Sequence, residues 1–170
     1  VLTLDGRGMD ASGGWWPVSW RDGVCLSGAL ADAAVEAFGV ETLDVGWHGE
    51  SPGAAAQLVI PVCGRAWFDP DGLDAASVAA HGVPGVVCPA CGVKRWRPLA
   101  FNPPPGLAGR LPPMRLRPDS SWGPIVASPE WFGDGLNSYR QILVRPDLGE
   151  FLNTASPRDF RIQSIDKAAA

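Results

Sequence analysis

No apolar run in the sequence approaches the ~18 residues that a bilayer-spanning helix needs, and no basic-then-apolar leader opens it. A soluble, cytoplasmic chain is the expectation. Basic charge is not in excess: 14 Lys and Arg stand against 18 Asp and Glu, and the resulting net charge of -4 offers no positive field to a phosphate backbone or an anionic membrane. Nucleic acid is a poor partner for such a chain. Histidine is limited to two residues and cysteine to four, so acid-base, nucleophilic and metal chemistry have few groups to draw on. No nucleophile, base and orienting group can be assembled from them, and an enzyme is not expected. The low hydrophobicity and high charge of disordered chains are missing too, with 46% hydrophobic and 19% charged residues.

What is present describes a folded domain with many turns. A chain of 170 residues is long enough to bury roughly two thirds of its unfolded surface. It carries 21 Gly and 17 Pro, which interrupt regular elements, and eight Trp, whose large rings need a core or a partner to cover them. Residues 1–20 read as β structure, with Trp15-Trp16-Pro17-Val18-Ser19-Trp20 as its bulky alternating part. Leu30, Ala34, Val35 and Phe38 stand at helical spacing between an N-cap at Ser27 and a stop at Gly39, which predicts a helix over 29–38. Residues 40–47 and 57–62 read as antiparallel strands around a turn at 49–53. Asp69-Pro70-Asp71-Gly72 reads as a turn, residues 73–80 as a short helix, and the Pro-rich stretch 98–113 as an extended connector. Strands are expected over 122–127 and 141–144. Ser128-Pro129-Glu130 has the chemistry of a helix start, which places a short helix over 131–136; the residues after Pro146 carry no strong signal. No internal repeat emerges. The fold class is α+β, with small antiparallel sheets, a few short helices, many loops and a zinc-knuckle staple. Residues 1–166 form a single domain in this reading, with the knuckle segment around 60–97. Lys167-Ala168-Ala169-Ala170 reads as a vector-derived tail, and the absence of a starting Met as a trimmed N-terminus.

Cys88-Pro89-Ala90-Cys91-Gly92 is the most informative stretch. Two thiolates two residues apart on a tight turn grip one tetrahedral zinc ion, and Gly after the second Cys lets the backbone fold its N–H groups toward the sulfurs. A redox Cys-x-x-Cys has the same letters but needs a helix N-terminus at the first Cys, which Gly92 and Pro98 oppose. Plain buried thiols are the remaining alternative. A structural zinc site takes four ligands. Cys63, which precedes Gly64 as Cys91 precedes Gly92, is the best third ligand, and the fourth is His81, His48 or Cys25. His81 lies in a Gly/Pro-rich segment just before the knuckle, whereas Cys25 leads into the predicted helix as a small buried hydrophobe.

Three other patterns have plainer readings. Gly49-Glu50-Ser51-Pro52-Gly53 matches a nucleophile elbow in letters only, because Pro52 has no N–H to give an oxyanion hole. Asp69-x-Asp71-Gly72 resembles the opening of a calcium loop but lacks the later acidic ligands. Lys94-Arg95-Trp96-Arg97 suits either a nucleic-acid contact or a solvated strand with Trp96 packed inward, and the acidic total charge favours the strand. Trp15, Trp16 and Trp20, together with Trp131 and Phe132, are candidate anchors for a protein partner, since Trp-rich patches concentrate interface energy.

The order of these features resembles the myxobacterial double-CXXCG motif family, regarded as immunity proteins paired with swarm-inhibition toxins. The Gly- and Trp-rich opening, the helix ending Phe38-Gly39-Val40, Leu58-Val59-Ile60-Pro61, the Cys88-Pro89-Ala90-Cys91-Gly92 knuckle, the Pro/Leu-rich connector and Ile125-Val126-Ala127-Ser128-Pro129-Glu130-Trp131-Phe132 carry the resemblance. This sequence holds one CXXCG, with Cys63 in the upstream ligand region, and a further N-terminal segment would supply the second. The resemblance implies a bacterial, toxin-neutralising protein that works by binding a cognate toxin. A zinc-ribbon accessory protein of nucleic acids is the alternative, and the net charge of -4 argues against it.

Overall fold

The computed structural model describes residues 2–6, 12–15, 23–106, 108–118 and 121–165. Its elements run β1 (Leu2–Asp5), β2 (Gly14–Trp15), β3 (Cys25–Ser27), α1 (Gly28–Phe38), β4 (Thr42–His48), β5 (Ala55–Leu58), α2 (Pro70–His81), β6 (Val86–Val87), β7 (Lys94–Trp96), β8 (Leu99–Ala100), β9 (Gly109–Arg110), β10 (Ile125–Ala127), β11 (Trp131–Phe132), a 3-10 turn (Gly135–Asn137), β12 (Ile142–Val144) and α3 (Pro146–Ala155). This is an α+β fold. The sheets are small, as expected, but mixed rather than purely antiparallel: β1 with β4, β7 with β11 and β8 with β9 are parallel pairs. The described residues gather into two compact units. One comprises Val1–Pro61, Trp122–Val126 and Leu143–Gln163, the other Val62–Ser121, Ala127–Ile142 and Ser164–Ala170. Among the described residues no helix is long and apolar enough to cross a membrane.

The first unit is built on a five-stranded sheet of order β1-β4-β5-β3-β2. β4 and β5 pair antiparallel from Thr42↔Leu58 to Asp44↔Ala56, which gives the hairpin expected around residues 49–53. Helix α1 turns the small side chains Ala31 and Ala34 inward, allowing close approach, and Gly39 ends it in the left-handed region with its N–H on the Val35 carbonyl. Phe38 meets Phe151 of α3 with ring centroids 5.1 Å apart. Leu148 and Leu152 of α3 complete the apolar layer with Cys25, Leu26 and Leu58. Helix α3 begins on Pro146 at its first position, a start signal that lies where the sequence reads weakly.

The second unit packs an aromatic core. Trp67, Phe68 and Phe132 are fully buried, and the Phe68, Trp96 and Tyr139 rings all stand about 6 Å from Phe132. Its sheet has the order β11-β7-β6, so β6 lies at an edge. Asp69-Pro70-Asp71-Gly72 is not a free turn but the first turn of α2: the Asp69 carboxylate accepts the Gly72 N–H at 3.0 Å, and Pro70 takes the first helical position. The helix expected over 131–136 is absent, because its start residues have other work. The Ser128 N–H and hydroxyl bond Gln141 and the Glu130 carbonyl, and Trp131 and Phe132 pair with Arg95 and Trp96 as a strand. Glu130, instead of reaching back to cap a helix, turns its Oε1 to the Trp67 and Phe68 N–H groups at 2.7 and 3.1 Å. That bond satisfies two buried donors at once.

Candidate metal centre

Strands β6 and β7 form an antiparallel hairpin, with Val86 opposite Arg95 and Val87 opposite Lys94. Its tip is Cys88-Pro89-Ala90-Cys91-Gly92. The Cys88 N–H donates to the Val93 carbonyl and the Gly92 N–H to the Cys88 carbonyl, both at 2.9 Å. Gly92 has φ +70°, a conformation that a side chain would strain. The Cys91 and Ala90 backbone, and after them the Cys91 thiol, hold the Cys88 thiol below its ordinary range. Cys88 is half-buried and Cys91 exposed. The redox alternative requires a helix N-terminus at Cys88, and a strand end stands there instead.

The base of the hairpin is fixed by Asp74 of α2. One carboxylate oxygen accepts the Gly85 N–H at 3.0 Å and the Trp96 Nε1–H at 2.8 Å, while the other meets Lys94 Nζ at 2.7 Å. The Lys94 bond is the leading cause that lowers the Asp74 carboxyl below its ordinary 3.8, against the opposing effect of burial. Lys94 also lies over the Trp96 ring, 5.3 Å from its centroid. Arg95 donates to Ser138 Oγ at 3.2 Å. The Lys94-Arg95-Trp96-Arg97 segment is thus a strand with its Trp buried and two of its cations engaged within the fold.

The other expected ligands are not brought to the pair. Among the described residues, which include every Cys and His, no three His, Cys, Asp or Glu side chains come together as a metal group. Cys63 sits where its N–H donates to the Ala127 carbonyl at 2.9 Å, beside a bridge between Val62 and Ala127. His81, in the last turn of α2, gives its Nε2–H to the Pro98 carbonyl at 2.8 Å. Cys25 is fully buried in β3, and burial pushes its thiol up to about 11. His48 is an exposed residue at the end of β4. The fit to zinc is therefore half a site: two sulfurs on a preformed turn.

The candidate anchors divide in the same plain way. Phe132 has no exposed surface and belongs to the aromatic core, which corrects its assignment as a contact residue. Trp131, one position before it in a strand, points the other way and is half-buried. It walls an open recess of about 300 Å³ with Phe68, Leu73, Trp96 and Glu130, and the Arg140 guanidinium lies 4.2 Å from its ring centroid. Trp15 is half-buried and stacks on Trp47 at 6.2 Å. Trp16 and Trp20 lie outside the described residues.

A sequence signal for the contrast between the two Cys-Gly sites was available. Ile60-Pro61-Val62-Cys63-Gly64 repeats Cys88-Pro89-Ala90-Cys91-Gly92 with Ile in place of Cys88 and Val in place of Ala90. The first of the two sulfurs is the one lost. Gly64, unlike Gly92, is not in the left-handed region. No protein-family model, no curated protein and no solved structure matches this chain.

Proposed function

We propose that the chain is a non-enzymatic, cytoplasmic protein-binding protein whose Cys88–Cys91 turn holds a structural zinc ion. The observation that carries this reading is the tip itself: Cys88 and Cys91 stand two residues apart on a turn closed by the Gly92 N–H on the Cys88 carbonyl, with the Cys91 thiol exposed. Such a turn would bind zinc through both thiolates, and the ion would lock the β6–β7 hairpin in place. The ion supplies coordination and rigidity, not a reaction. The resemblance to the double-CXXCG proteins supplies the partner class, a cognate bacterial toxin. A net charge of -4 suits a basic protein partner. The engagement of Lys94 and Arg95 within the fold further disfavours the nucleic-acid alternative.

Two measurements test the reading. Metal analysis of protein purified without chelator should find zinc that Cys88→Ser removes. Titration calorimetry against a basic candidate toxin should show binding that weakens as salt rises. Sub-micromolar binding to duplex or single-stranded nucleic acid at physiological salt, with no zinc retained, would overturn it.

A further inference from the structure

We propose that the recess beside Trp131 receives one positively charged side chain, a lysine ammonium or an arginine guanidinium, of a protein partner. This rests on the reading that the chain binds a basic protein, and names the place where that partner's charge is held. It is independent of zinc.

The sign of the ligand follows from Glu130, which lines the recess and is only 8% exposed. Its Oε1 accepts the Trp67 and Phe68 N–H groups, while Oε2 is buried and has no hydrogen-bond partner among the described residues. A carboxylate withdrawn from water is costly until a positive charge or further donors balance it. The cations at hand are engaged elsewhere. Lys94, which also lines the recess, is matched by Asp74 at 2.7 Å. Arg140 is held over the Trp131 ring with an N–H on the Ser128 carbonyl at 2.9 Å, and it does not bond Oε2. A cation brought in from outside supplies what Glu130 lacks, whereas an anion meets its charge.

The shape of the ligand follows from the remaining walls. Phe68, Trp96 and Trp131 line the recess with Leu73. The face of an aromatic ring attracts a cation within about 6 Å. Two of these rings already do so within the fold, Trp96 with Lys94 at 5.3 Å and Trp131 with Arg140 at 4.2 Å. Apolar walls also suit the methylene stem of a lysine or arginine, which packs along them while its charged head turns to the carboxylate. The recess is open and measures about 300 Å³, the small end of ligand sites, so it suits one side chain presented from a surface. All of its residues belong to the second unit. The net charge of -4 draws a basic surface toward the chain, and the recess gives that surface one fixed point of attachment.

The test uses the full chain under chelator and reductant, so that no metal takes part. The probes are single blocked amino acids: the Nα-acetyl methylamides of lysine and arginine, of their neutral counterparts norleucine and citrulline, and of glutamate. NMR reads binding at the indole N–H signals of Trp96 and Trp131. The lysine or arginine probe should bind about 10-fold or more tightly than its neutral counterpart, with a preference that shrinks as salt rises. Glu130→Gln keeps a carbonyl for the Trp67 and Phe68 N–H groups; it should weaken the cationic probe about 10-fold and leave the neutral probes unchanged. Circular dichroism checks the fold, and if Glu130→Gln unfolds, the preference of the unaltered chain and its loss in Trp131→Leu decide. Equal binding of charged and neutral probes, preference for glutamate, or binding of no probe overturns the proposal. Calorimetry with a basic candidate toxin separates the recess from the reading beneath it. Cationic probes that bind where the toxin does not keep the recess and overturn the protein partner. Toxin binding that Glu130→Gln leaves unchanged keeps the partner and overturns the recess.

Discussion

Two five-residue segments with nearly the same letters fold differently in this chain. Residues 88–92 curl at a hairpin tip, with Gly92 at φ +70° and its N–H on the Cys88 carbonyl. Residues 60–64 pass through a bridge at Val62, and the Cys63 N–H goes to the Ala127 carbonyl. At the first position Cys88 offers a sulfur, whereas Ile60 offers a half-buried hydrocarbon that accepts nothing. A backbone donor without a local acceptor finds one elsewhere, here in a neighbouring strand.

The largest expected effect that sharpens this comparison is on metal-linked stability. With zinc at a thousandfold excess over its Kd, the ion stabilises the folded chain by about 4 kcal/mol. Cys88→Ser should abolish that increment, seen as loss of the zinc-dependent rise in Tm. Cys63→Ser should keep it and change stability by no more than about 1 kcal/mol. Equal losses in the two variants would place Cys63 in the site and break the comparison.

The glycines give the next effect. A Cβ on Gly92 would meet nothing within 4 Å, so Gly92→Ala carries only the left-handed backbone penalty, about 1–2 kcal/mol. Gly64 is equally open but has an ordinary φ. There Gly64→Ala should be neutral or stabilise by about 0.4–1 kcal/mol, because it restricts the unfolded chain. Urea unfolding of the two metal-free variants measures both signs.

How much of this was readable beforehand follows from the range of the interactions involved. Helix α1 was legible because its spacing, its alanines and its stop at Gly39 are local, and the hairpin tip was legible for the same reason. Helix α2 was foreseen but begins earlier than expected, since Asp69 acts as a cap rather than a turn residue. The strand at Trp131–Phe132 was not legible. Ser128-Pro129-Glu130 is a valid helix start in isolation, and what overrides it is tertiary: Gln141 takes Ser128, and the Trp67 and Phe68 N–H groups take Glu130. The burial of Phe132 beside a half-exposed Trp131 follows from that strand, because neighbours in a strand face opposite ways. Each of the two compact units likewise draws on three separated stretches of chain.

A smaller effect concerns the base of the knuckle hairpin. Asp74 joins Gly85, Lys94 and Trp96 there, and Asp74→Asn should cost about 1 kcal/mol at neutral pH by removing the ion pair. The Asp74 carboxyl is lowered from 3.8, first by the Lys94 bond, so the folded state holds the charged form more tightly than the unfolded chain does. Its contribution is therefore complete above pH 3.8 and is lost as pH falls below it through the lowered value. The stability gap between the native chain and Asp74→Asn should stay constant from neutrality down to that point and close below it. A gap that closes well above pH 3.8 would assign the effect to another group.

The smallest expected effect is a null one, and it asks which feature causes the contrast between the segments. Ile60→Cys restores the letters of a second knuckle at residues 60–64. If the missing sulfur were the whole cause, the variant would curl as residues 88–92 do and take up additional zinc. The structure gives two reasons against that: the Cys63 N–H is already bonded to Ala127, and Gly64 does not adopt the left-handed conformation that closes the other turn. Bending residues 60–64 into a knuckle would break that bond and the bridge at Val62, a loss of about 1 kcal/mol or more. Unchanged zinc stoichiometry is therefore expected for Ile60→Cys, with a modest fall in Tm from the smaller side chain. Extra zinc in Ile60→Cys that disappears again in the double variant with Cys63→Ser would show that the extended path follows from the lost sulfur alone.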